Sequence, residues 1–270
     1  MGNRAPIGVF DSGLGGLAVL RSMREAMASE DFIYMADSAY APYGDRSPEW
    51  ILHRSAAICE FLLQEGAKAL VVACNTATTV AVRALRERFS PVPIVAIEPA
   101  VKPAAALTRS GVVGVMATSR TIGSAQFAHL REQYGRGLSI LGQACPGLAD
   151  LVEAGRFDDD ELHQQVAHYV EPLIARGADT LVLGCTHYTF LRPIIQSVGG
   201  PAVTIVDPAI AVANEVVRRL REAQLLSDAR GRGHTMFFTS GRPVRVGAVL
   251  ERLWPPGGVV YRAPGLAGGD

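Results

Sequence analysis

With 270 residues, 49% of them hydrophobic, the chain is long enough for about two packed domains. A formal net charge of zero and a pI near 7.0 supply no electrostatic footprint for nucleic acid or an anionic membrane surface, so neither is expected as a partner. The apolar runs are strand-length, far below the roughly 20 residues of a membrane-spanning helix. No charged, hydrophobic, cleavable leader is expected ahead of the first strand, and the expected address is cytoplasmic.

In chain order, short apolar runs predict strands near 6–10, 31–35, 69–73, 92–97, 112–116, 138–141, 180–183 and 203–206, with helical patterns between most of them. Such alternation predicts an α/β fold of parallel sheets built from crossover connections. Runs such as Ala69 to Ala73 show no polar alternation, as expected of central strands covered by helices on both faces. Glu98-Pro99 and Asp207-Pro208 each place an acid and a proline after a strand, and both are read as crossings between lobes. His234 to Ser240 and Val259 to Arg262 are read as strand material returning to the first lobe, and the Gly/Pro-rich end after Arg262 as frayed.

The chain also repeats itself. Gly66-Ala67-Lys68-Ala69-Leu70-Val71-Val72-Ala73-Cys74 is echoed by Gly177-Ala178-Asp179-Thr180-Leu181-Val182-Leu183-Gly184-Cys185, and Ile7 to Ser12 by Val113 to Thr118. The expected architecture is therefore two pseudo-symmetric lobes, each a mostly parallel sheet flanked by helices, with the active site in the cleft between them. Residues 1–97 with 208–270 form the expected first lobe and 98–207 the second.

In open parallel sheets ligands bind beyond the carboxyl ends of the strands, which singles out Asp11, Asp37, Cys74, Glu98, Thr118, Cys185 and Asp207. Four scattered cysteines without a Cys-x-x-Cys pair are expected to be reduced thiols. Cys59 and Cys145 read as small buried hydrophobes. Cys74 and Cys185 differ, because they hold equivalent places in two repeats, each ahead of an expected helix start that should depress a thiol pKa. Two thiols from two symmetric lobes suit neither a disulfide oxidoreductase nor a cysteine hydrolase. They suit inversion of a stereocentre, in which one group removes a proton from one face and the other returns one to the opposite face. Pyridoxal phosphate would need a Schiff-base lysine, and the only lysines, Lys68 and Lys102, lie away from strand carboxyl ends. There is no Gly-x-x-x-x-Gly-Lys loop and no complete Gly-x-Gly-x-x-Gly after the first strand, so cofactor-free proton transfer is expected, with no metal.

Phe10-Asp11-Ser12-Gly13-Leu14-Gly15-Gly16-Leu17, Ala36-Asp37-Ser38 with Pro42-Tyr43-Gly44, Ala73-Cys74-Asn75-Thr76-Ala77-Thr78 and Gly184-Cys185-Thr186-His187-Tyr188 together resemble the glutamate racemases, over residues 6 to 253. The resemblance implies cofactor-independent interconversion of L- and D-glutamate, supply of D-glutamate for peptidoglycan, and a homodimer. It implies catalytic roles for Cys74 and Cys185, with Asp11 near the first thiol and His187 and Glu153 assisting the second. Asp11, Ser12, Tyr43, Gly44, Asn75, Thr76, Thr118, Thr121, Thr186 and His187 match its substrate-binding positions.

Each residue also has a plainer reading. Asp11-Ser12, Thr118 and Thr121 could cap helices, and Gly13, Gly15 and Gly16 could ease a turn. His187 with Cys185 offers only two metal ligands, and Glu153 could be an exposed helical acid. Thr239-Ser240-Gly241-Arg242-Pro243 departs from the family's Thr-Thr/Ser-Gly-Asp at a capping position, so altered local structure is expected there with activity retained. Activation by a cell-wall precursor, which in the family accompanies a long N-terminal extension, is not expected. The competing readings are an aspartate racemase or maleate-isomerase-like enzyme, and a binding protein that keeps the fold.

Overall fold

The computed structural model of the chain describes residues 4–157, 159–255 and 257–268. Its strands are β1 (Ile7–Asp11), β2 (Phe32–Ala36), β3 (Ala69–Val72), β4 (Ile94–Ala96), β5 (Val112–Ala117), β6 (Ser139–Ala144), β7 (Thr180–Leu183), β8 (Thr204–Val206), β9 (Thr235–Thr239) and β10 (Val260–Arg262). They form two sheets, ordered β10-β9-β2-β1-β3-β4 and β6-β5-β7-β8. Every pairing is parallel. The order β2-β1-β3-β4 in the first sheet recurs as β6-β5-β7-β8 in the second, so the sequence echo corresponds to a repeated unit of four strands.

Alternate residues of the central strands feed different cores, as the period of two requires. Val9, Tyr34 and Val71 join a cluster that continues through Leu14, Leu17 and Val152 to Leu183, Cys185, Tyr188 and Leu191 of the second unit. Phe10, Ile33, Leu70 and Val72 face the other way, onto Ile58 and Leu62 of helix Pro48–Gln64. Val113, Val115 and Val182 pack on Phe127 and Leu130 of helix Ala125–Tyr134. A fully buried Leu or Ile contributes roughly 1.5–3 kcal/mol, so a cluster that draws on both sheets stabilises their contact.

The chain passes from one sheet to the other after β4, where helix Val101–Leu107 packs on β5, β7 and β8. It returns after β8, where helix Ala209–Glu222 packs on helix Leu17–Ala26. Pro208 sits at the N-cap of the returning helix, one position before the first turn. β9 and β10 extend the first sheet at the β2 edge.

The expectation of a frayed end after Arg262 is corrected over residues 263–268. Ala263 and Leu266 are buried, Ala263 N–H donates to Thr239 O and Gly268 N–H to Ser240 O, and the Leu266 carbonyl accepts from Arg54. Backbone partners hold the segment despite its composition; the last two residues lie outside the described part. At the family departure, helix Pro243–Leu253 begins on Arg242 with no side-chain cap, while Thr239 Oγ1 accepts from Gly241 N at 3.0 Å. Among the described residues no helix is long and apolar enough to cross a membrane.

Candidate active site

Both repeated cysteines emerge at the carboxyl ends of equivalent strands, and both line one small cavity with Ser12, Pro42, Tyr43, Asn75, Thr76, Thr118, Ala149, Thr186 and His187. Cys74 is the N-cap of helix Asn75–Arg88, its Sγ accepting from Ala77 N at 3.4 Å, with Ser12 Oγ 3.6 Å away. Cys185 precedes a 3-10 turn, Thr186–Leu191, where an α-helix start was expected, and makes no side-chain cap. Its Sγ instead lies 3.6 Å from His187 Nδ1, and His187 Nε2 lies 2.7 Å from Glu153 Oε1. Glu153 ends helix Leu148–Glu153, so its carboxylate crosses between elements 34 residues apart to hold the imidazole.

The expected depression of the thiol pKa fails for Cys74. Burial pushes this thiol up, the nearby Asp11 carboxylate adds to the rise, and the Ala77 N–H and Ser12 only partly offset it. One helix terminus contributes about 0.3–1 kcal/mol, too little against full desolvation. Asp11 is itself raised, chiefly by burial, with His187 and the Gly16 N–H acting in the opposite direction. For His187 burial opposes protonation, yet its bonds to Cys185 and Glu153 prevail and lift it well above the ordinary value.

Asp11 is fully buried, with Oδ2 accepting from Gly16 N at 2.8 Å and Thr186 Oγ1 at 3.4 Å. Its Oδ1 has no protein partner, and neither amide atom of the buried Asn75 has one. A buried polar atom without a partner costs about 1–3 kcal/mol; of these two residues Asn75 lines the thiol cavity, where its amide is available to a polar ligand. Among the described residues no group of three His, Cys, Asp or Glu side chains converges as a metal site would.

The other expected residues divide. Thr76 Oγ1 meets Thr118 Oγ1 at 3.0 Å, and Thr118 also caps helix Ser119–Ile122 through Thr121 N, so cap and cleft wall coincide. Thr121 stands behind Thr118, fully buried, their hydroxyls 3.0 Å apart. Gly44 lines an adjoining cavity that shares Pro42, Thr118 and Ala149 with the first. Tyr43 lines the thiol cavity, but its hydroxyl donates to Asp37 at 2.5 Å. Asp37 also pairs with Arg54, Glu98 accepts from Gln126, and Asp207 accepts from Ala209 N, so these three strand-end acids serve the scaffold.

Three features were not foreseen. Cys145, assigned only to packing, lies close enough to Cys185 for a charge there to raise it further, although burial is the main cause. Leu14 N–H donates to Glu153 Oε1 at 2.5 Å. Gly13 and Gly15 sit in close approach to the assisting pair: a Cβ on Gly13 would overlap the Glu153 carboxylate, and one on Gly15 would lie 2.6 Å from His187 Nδ1. The three glycines after β1 were the available signal, read as turn formers.

Comparison with known proteins agrees with this architecture. Residues 7–216 match the Asp/Glu/Hydantoin racemase family. The chain is 48% identical over 260 residues to the glutamate racemase of Stutzerimonas stutzeri, spanning 96% of this chain and 98% of that protein. The crystal structure of a glutamate racemase isoform from Bacillus anthracis superposes with a TM-score of 0.89 at 34% identity, covering 98% of this chain and 100% of that one. The Francisella tularensis glutamate racemase in complex with D-glutamate gives 0.85 at 26% identity, covering 98% of each chain. The chain therefore belongs to the Asp/Glu/hydantoin racemase family and, within it, to the glutamate racemases, which are amino-acid isomerases.

Proposed function

We propose that this racemase interconverts L- and D-glutamate by a two-base proton transfer, with Cys74 and Cys185 on opposite faces of the α-carbon. The observation that carries the reading is that two thiols, delivered by equivalent strand ends of a repeated unit, line one cavity. In one direction a thiolate takes the α-proton and the other thiol returns one; in the reverse direction the roles exchange. Burial keeps Cys74 a neutral thiol in the free protein. The α-ammonium of a bound amino acid brings a positive charge beside it, which favours the thiolate when the substrate is in place. Asp11, with a raised pKa and a free Oδ1, is suited to accept that proton. On the opposite face His187, oriented by Glu153, is suited to exchange a proton with Cys185.

Ser12, Asn75, Thr76, Thr118 and Thr186, with backbone amides around Tyr43 and Gly44, supply donors for the two carboxylates of glutamate. Thr121 steadies Thr118 from behind. Cofactor independence is supported by the lysines: Lys68 is buried against Glu30 at the far end of β3, and Lys102 is exposed on helix Val101–Leu107. The cavity as it stands measures about 10 Å³, room for about one water, so admitting glutamate requires its walls to part. Residues 1–97 with 208–270 and residues 98–207 are the proposed moving bodies. A cytoplasmic homodimer supplying D-glutamate for peptidoglycan completes the proposal.

The test is racemisation of L- and D-glutamate without added pyridoxal phosphate or metal, with L-aspartate alongside. Turnover of both glutamate enantiomers with aspartate inert is expected. Turnover of aspartate alone, or turnover only after a cofactor is added, would overturn the reading.

A further inference from the structure

The Gly13-Leu14-Gly15-Gly16 loop is fastened to the first lobe at both ends. Gly16 N–H donates to Asp11 Oδ2 at 2.8 Å, and the fully buried Tyr34 of β2 donates its hydroxyl to Gly13 O at 2.8 Å. The other side of the loop presses on the second lobe. Leu14 N–H reaches the same Glu153 oxygen that holds His187 Nε2, and Gly15 leaves no room for a Cβ beside His187 Nδ1 and N. A carboxylate oxygen shared by two donors is fixed in direction, and an imidazole bonded to it has one ring orientation left. The bonds at Cys74 itself come from elsewhere, the Ala77 N–H of its own helix and Ser12 at the end of β1; the loop reaches Asp11, the acid beside that thiol, only through its far end at Gly16 and not through Gly13 or Leu14.

We propose that Tyr34 is a positioning residue for the Cys185 half of the reaction. Through Gly13 O it sets the loop, through Leu14 N–H the loop sets Glu153, and Glu153 orients His187 beside Cys185. The groups assisting the second thiol are thus completed by a loop of the first lobe and come together only when the two lobes meet. The inference rests on the two-thiol reading above.

Enantiomers have equal energy in water, so the two values of kcat/KM for racemisation stay equal in every variant and cannot expose a one-sided defect. A one-base half-reaction can. With 3-chloroglutamate, the base takes the α-proton, the C–H electrons form the Cα–Cβ double bond, and chloride leaves with the C–Cl electrons. Water then hydrolyses the resulting enamine to 2-oxoglutarate and ammonium.

Cys185→Ser is measured first, to identify the α-configuration that Cys185 serves. Tyr34→Phe is then expected to slow elimination from that enantiomer about tenfold, with the opposite enantiomer changed less than about twofold. Gly13→Ala, which pushes Glu153 aside directly, should show the same bias. Its absence would overturn the chain from the loop through Glu153 to Cys185 even if near-UV circular dichroism shows that Tyr34→Phe has lost its fold. Equal slowing of both enantiomers, or no slowing of either, would overturn the positioning role. Retention of elimination from both enantiomers in Cys185→Ser would instead overturn the two-thiol reading itself, before Tyr34 is changed.

Discussion

The two lobes share one strand order but equip their thiols differently. In the first, Cys74 caps a 14-residue helix and sees Ser12 and Asp11; in the second, Cys185 precedes a 3-10 turn and sees His187 backed by Glu153. The same divergence appears at the far ends of the two cysteine strands. Lys68 forms a buried ion pair with Glu30 at 2.6 Å. Its counterpart Asp179 accepts from Thr108 Oγ1, Arg109 N, Ser110 N and Thr180 Oγ1 at 2.6 to 3.0 Å. The repeated unit therefore dictates where a thiol emerges, and residues that differ between the two copies decide what surrounds it.

The largest expected effect breaks the symmetry outright. Cys74→Ser and Cys185→Ser should each lower racemisation by on the order of a thousandfold, read by polarimetry. Each variant should keep elimination from one 3-chloroglutamate enantiomer, opposite in the two cases. At the strand ends, Lys68→Ala leaves Glu30 buried without its cation and should cost about 3 kcal/mol in denaturant unfolding. Asp179→Ala removes an acceptor at a more exposed site, leaves Thr108 Oγ1 and the 109–110 amides nearer to water, and should cost about 1–2 kcal/mol in the same assay. A smaller change is expected for Thr118→Ala, about 1 kcal/mol, because it removes the Thr121 N cap together with the contact to Thr76.

The smallest effect is a dependence on pH. His187 has a folded pKa above its unfolded value of about 6.5, so its protonated form stabilises the native state. That contribution is complete below about pH 6.5 and is lost as pH rises through the folded value. The stability difference between the wild type and His187→Asn should be greatest at the acid end and narrow towards alkaline pH. A constant difference would show that His187 contributes by packing alone.

Much of the fold was legible because it is written in local patterns: the apolar runs around Val71 and Val182, the echoed cysteine segments, and the prolines beside each crossing. The candidate site was legible where a residue sits at a strand end, as Asp11, Cys74 and Cys185 do. Contacts between distant segments were not. Leu14 meets Glu153 across 139 residues, and Tyr34 reaches Gly13 from the interior of a strand, where a tyrosine reads only as core. Sequence also gave no measure of depth: a helix start suggested an acidic thiol at Cys74, but full burial outweighs the helix. Likewise Ala263 and Leu266 lie in a stretch of loop-like composition, and their order comes from Thr239 and Arg54 far upstream.

The most direct measurement of the central claim is racemisation of L-glutamate in deuterated water, stopped at low conversion, with the α-position of both enantiomers analysed by mass spectrometry. Two thiols acting from opposite faces predict deuterium in the D-glutamate formed and hydrogen retained in the recovered L-glutamate. D-glutamate carrying the original hydrogen, or label entering both enantiomers equally, would mean that one group serves both faces and would contradict the account.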